Sequence, residues 1–165
     1  MMWLLLTLAS AADGDEICGF VMGQRAELTG LECRDDACQK PGEVAGVTGT
    51  WAVKHCHGIV TGATFSVTYV PNTEEARSHF QAYGHHVSDP LAQARSLHEQ
   101  WVATLTGAGW GLHADETEPD GTHWVRVVSA PHARLIRVSS RSVGGLQTAT
   151  TSLVASATDP SCPRP

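Results

Sequence analysis

A chain of 165 residues with 42% hydrophobic and 17% charged side chains holds enough apolar material for one core, and its composition is not that of a disordered segment. The formal charge of −6 is concentrated early, since residues 13 to 45 carry eight acids against three bases and residues 46 to 165 carry nine against eight. No basic face results, which argues against nucleic acid or an anionic membrane surface as partner.

The chain opens "MMWLLLTLASAADG". An apolar run ends in the small residues Ala9, Ser10 and Ala11, which fit the A-x-A cleavage pattern of a secretory signal. Residues 1 to 12 are therefore expected to be removed on export, although no Lys or Arg precedes the run; the alternative is a buried first strand of a cytosolic protein. No other run approaches the ~20 apolar residues of a membrane span, so the mature chain is expected to carry no transmembrane segment. Arg outnumbers Lys nine to two, a bias read here as bacterial. The expected location is the periplasm or the cell exterior.

Residues 13 to 45 form an acidic lead-in with three of the five cysteines, Cys18, Cys33 and Cys38, and run into "QKPGEVAGVTG", whose Pro41, Gly42, Gly46 and Gly49 read as a linker. The other two cysteines are Cys56 and Cys162, the latter in the tail of residues 158 to 165. In an exported chain these five are disulfide candidates, and an odd number leaves one over. Cys33 and Cys38 are close enough in sequence for a local bridge, and Cys56 is expected to pair across a longer span.

The main domain is expected over residues 46 to 157. Residues 51 to 60 and 64 to 70 read as a hairpin joined by Thr61, Gly62 and Ala63, with Phe65, Val67 and Tyr69 on a buried face. Pro71 ends it. Asn72 and Glu75 form a capping box for a short helix with Ala76, Phe80 and Tyr83 on one side, closed by Gly84. A longer helix starts at Ser88 or Asp89 with Pro90 in its first turn, carries the stripe Leu91, Ala94, Leu97, Trp101 and Leu105, and ends at Gly107. Two strands around the turn Glu118-Pro119-Asp120-Gly121 follow, and then two more separated by Val143-Gly144-Gly145. The expected fold is α+β: an antiparallel sheet of about six strands, in the order ββααββββ, packed on one long and one short helix.

Chemistry is suggested most by His55-Cys56-His57. On a continuous strand the two histidines share a face opposite to Cys56, so neither can serve it as a base. They could instead hold zinc or copper with His85 or His86 as a third ligand, although a His pair at this spacing is a weak signal compared with a full ligand set. Asp115, Glu116, Glu118 and Asp120 lack calcium-loop spacing and read as a solvated turn. Trp51 and Trp101 read as core rather than as a platform for sugars. Arg126, Arg134, Arg137 and Arg141 could bind an anionic ligand; the simpler reading is a solvent-facing rank balanced by acids. No Gly-x-Ser-x-Gly, phosphate loop or dinucleotide fingerprint is present. The sequence thus points to an exported, disulfide-stabilised binding or interaction module, without evident catalysis, for a protein or small-molecule partner. The alternative is a periplasmic metal-binding protein or metalloenzyme built on the His55/His57 strand.

Overall fold

Alternation of apolar and polar residues governs the architecture of the computed structural model, which describes residues 16–17, 20–22, 24–25, 31–34, 37–80 and 84–156. The expected signal segment, Cys18, Tyr83, Cys162 and the tail lie outside the described residues. Eleven strands and two helices follow in order: β1 (Glu16–Ile17), β2 (Phe20–Val21), β3 (Glu32–Arg34), β4 (Ala37–Val44), β5 (Val47–Cys56), β6 (Ile59–Pro71), α1 (Glu74–His79), β7 (His85–Val87), α2 (Pro90–Gly107), β8 (Gly111–Thr117), β9 (His123–Ser129), β10 (His132–Val143) and β11 (Leu146–Ser156). β1 and β2 make a small separate ladder, and the other nine strands form one sheet.

Two four-stranded meanders build that sheet, in the spatial order β3-β4-β5-β6-β11-β10-β9-β8, with the last strand of each meander paired at the centre. Pairing is antiparallel except for β7, which runs parallel to the end of β6 through Tyr69↔His85 and Val70↔His86. β6 is 13 residues long and outruns its neighbours at both ends. At one end β7 takes over the edge that β5 leaves free. At the other, Arg25 bridges Ile59 and Val60 N donates to Gln24 O, beyond the last β11 pair, Ser156↔Gly62.

The expected α+β fold of about six strands on two helices is overturned, because the protein is mostly β and carries nine strands in one sheet. α1 is a helix of only 6 residues that buries only Ala76 and forms no layer. Two misread segments supply most of the difference. Residues read as a linker form most of β4 and the start of β5. Gly42 and Gly49 are there because aromatic rings lie across them: a Cβ on Gly42 would overlap the Trp51 ring, and one on Gly49 would meet the Ser66 carbonyl and the Phe65 ring. The loop expected at His85-His86 is strand β7.

α2 follows its sequence signals closely. Asp89 caps it by accepting from Ala92 N at 3.0 Å, Pro90 fills the first turn, and Ala94, Leu97, Trp101 and Leu105 are buried, joined by His98. The helix lies over β6, β11, β10 and β9. Its core contacts continue through a file of rings: Trp101 to Phe65 at 6.0 Å between centroids, and Phe65 to Trp51 at 5.0 Å. Thr151 Oγ1 donates to Ala94 O at 2.6 Å, tying helix to sheet where both are buried. On the other meander the same core takes in Met22 and Leu31 of the lead-in. Among the described residues α2 covers one half of this face, and Met22 and Leu31 add to the same core.

Candidate functional site

The His-Cys-His segment does not form a strand face. β5 ends at Cys56, and His57 and Gly58 are the two residues of the turn into β6, both at positive φ (49° and 80°) as a type I′ turn requires. The hairpin turn thus falls at His57-Gly58, not at residues 61 to 63. His55 Nδ1 accepts from Gly58 N at 3.4 Å and so closes the turn. His85 sits at the opposite end of β5, with Nε2 within 2.8 Å of Thr48 O. His86 Nδ1 lies 3.3 Å from Pro71 O. Seven residue steps along β5 lead from Thr48 to His55, on the order of 20 Å at about 3.3 Å per residue, so the two histidine pairs are not brought to one point. Among the described residues no three His, Cys, Asp or Glu side chains are placed to hold one ion.

Cys33 and Cys38 face each other across β3 and β4 and form a disulfide. Cys56 is disulfide-bonded as well.

A second histidine cluster, which the sequence analysis missed, lies where α2 meets β8 and β9. His98 and His123 meet edge to face with centroids 5.0 Å apart. His98 Nε2 donates to Ile136 O at 3.2 Å, because a carbonyl can only accept. His123 places Nε2 3.4 Å from Asp115 Oδ1 and Nδ1 3.0 Å from Thr117 Oγ1. Burial, with the neighbouring His123 as the second cause, holds the His98 imidazole below the usual histidine range. Its signal in the sequence was position: His98 follows Leu97 on the buried stripe. The hairpin tip beside it is the turn expected from the sequence, with Thr122 N donating to Asp120 Oδ1 at 2.8 Å. That bond, made to the charged carboxylate, holds Asp120 below the usual range.

The other face of the sheet bears no layer among the described residues. Its side chains are those that alternate with the core, and at its centre they are hydroxyls: Ser66 Oγ lies 3.0 Å from Ser152 Oγ, and Thr68 Oγ1 3.1 Å from Thr150 Oγ1. Towards β9 and β10 this face becomes a groove of about 610 Å³, within the range of small-ligand sites, lined by Trp124, Arg126, Leu135, Arg137 and Val154 with Glu118 at the rim. Arg126 and Arg137 are exposed here, as the expected solvent-facing rank requires, and so is Arg141. Arg134 is the exception. Its register opposite Val127 turns it to the core face, where it is buried with its guanidinium 5.1 Å from the centre of the Trp110 ring. Trp51 and Trp101 are core, as read from the sequence, whereas Trp124 stands half-buried on the open face.

Compared with protein-family models, with curated proteins and with solved structures, the chain matches none. Among the described residues no helix is long and apolar enough to cross a membrane.

Proposed function

We propose that the protein is an exported, disulfide-stapled module that binds its partner on the face of the sheet that bears no layer among the described residues. The observation that carries this reading is the asymmetry of the two faces. Among the described residues one is packed by α2 together with Met22 and Leu31, while the other bears no layer and holds a groove with a tryptophan, two arginines and a field of hydroxyls. Disulfide bonds at Cys33, Cys38 and Cys56 suit an oxidising compartment, and the composition of residues 1 to 12 suits an export signal. The test is an intact mass of the untagged protein, recovered from the export compartment of a host that expresses the full chain. A product beginning near Ala12 or Asp13 and carrying two bridges is expected. A full-length chain with free thiols, retained in the cytosol, would overturn export and stapling together.

A further inference from the structure

Reading the strand register across the open face, from β9 to β5, places Trp124 beside Arg137, Arg137 beside Ser152, Ser152 beside Ser66 and Ser66 beside Thr50. Each of the five stands next to at least one buried residue on its strand, and by alternation they point to the same side. A second row runs parallel to it through Arg126, Leu135, Val154 and Thr64. At about 4.8 Å between strands, the first row is a track roughly 19 Å long, crossing the strands rather than following them.

We propose that this track binds an acidic saccharide, a short chain of pyranose rings bearing carboxylates; the proposal rests on the open face being the module's binding surface. The half-buried indole of Trp124 offers a flat apolar plane for the C–H face of a sugar ring. Arg137 and Arg126 lie diagonally on adjacent strands and present planar forks that match a carboxylate in paired hydrogen bonds. Neither forms an ion pair within 4.0 Å among the described residues. The acids nearby gather at one end: Glu116 opposite Trp124, Glu118 at the rim, and Asp120, which feels the charge of Arg137. They border the Trp124 end of the track, so a carboxylate is received on the side of Arg137 and Arg126 that faces away from the turn. Beyond Arg137 the paired hydroxyls of Ser152 and Ser66 both donate and accept, as the hydroxyls of a sugar do.

An acidic peptide suits the surface less well. An extended peptide gains affinity by adding to the unpaired backbone of a sheet edge, whereas β9, β10, β11 and β6 are interior strands paired on both sides.

Calorimetric titration of the oxidised full chain at low salt tests the proposal with three probes: a galacturonate tetramer, a neutral galactose tetramer and a glutamate tetrapeptide. The expected result is binding of the galacturonate, with the neutral sugar and the peptide each at least tenfold weaker. Arg137→Gln and Trp124→Ala should each weaken the galacturonate at least tenfold while leaving the thermal melt in place, and Arg95→Gln on the exposed side of α2 should change nothing. Equal binding of the neutral sugar would overturn the role of the arginines. Equal or tighter binding of the peptide would overturn the ligand class. Absence of galacturonate binding, or binding that survives both variants, would overturn the site. None of these results alters the mass that judges export and stapling, so the two readings fail separately.

Discussion

The two halves of the sheet solve the same problem with different materials. Under α2, the strands β9, β10 and β11 are covered by 18 residues whose backbone hydrogen bonds are satisfied within the helix and whose cap is Asp89. Over β3, β4 and β5 no helix is packed among the described residues; Met22 and Leu31 join the common core, and Val60 N donates to Gln24 O. The bonded cysteines Cys33, Cys38 and Cys56 are in this half. The Cys33–Cys38 bridge limits the unfolded freedom of the half that α2 does not cover.

Trp101→Ala should have the largest effect, because Trp101 joins the halves through Phe65 to Trp51. A loss of about 3–5 kcal/mol in chemical denaturation is expected, as for truncation of a buried aromatic ring. Replacing the bridge with Cys33→Ser and Cys38→Ser together should cost about 2 kcal/mol, the value for a short closed loop. Proteolysis of this variant should begin in β3 and β4 and not in β10. A transition that stayed unchanged would break the comparison.

Ala45→Asn should act in the opposite direction. Ala45 opens the turn between β4 and β5 at φ 54°, followed by Gly46 at φ 80°, where an alanine is strained and Asn-Gly is the favoured pair. A gain of up to about 1 kcal/mol in the denaturation midpoint is expected.

The pH effect is the smallest at neutrality and belongs to the helix-covered half. His98 has its folded pKa lowered by burial, so folding favours the neutral ring. The unfolded chain takes up the proton first, near pH 6.5. The contribution of His98 is therefore whole above that pH and is lost as the pH falls towards the lowered folded value. The denaturation midpoint should drop between pH 7 and pH 5 more steeply in the native protein than in His98→Gln, which keeps a donor for Ile136 O.

What was legible in the sequence is what depends on neighbours along the chain. The stripe and cap of α2, the Glu118–Gly121 turn, the Gly144-Gly145 turn and the alternation of Phe65, Val67 and Tyr69 all announce themselves locally. What was not legible depends on distant contact. Gly42 and Gly49 look like linker residues until the rings of Trp51 and Phe65 are placed over them. His57 looks like a strand residue because the usual mark of a type I′ turn is Asn or Asp before the glycine, and here a histidine stands in that place. The track on the open face was the least visible part. Trp124, Arg137, Ser152 and Ser66 come from four strands and form a row only when all the registers are fixed.

Native-state hydrogen exchange, followed strand by strand in the oxidised protein and in the protein reduced and alkylated, tests the division into a stapled and a self-supporting half most directly. The account predicts that reduction strips protection from β3, β4 and β5 while α2, β10 and β11 keep theirs. Uniform loss across the sheet, or opening of the α2 half first, would contradict it.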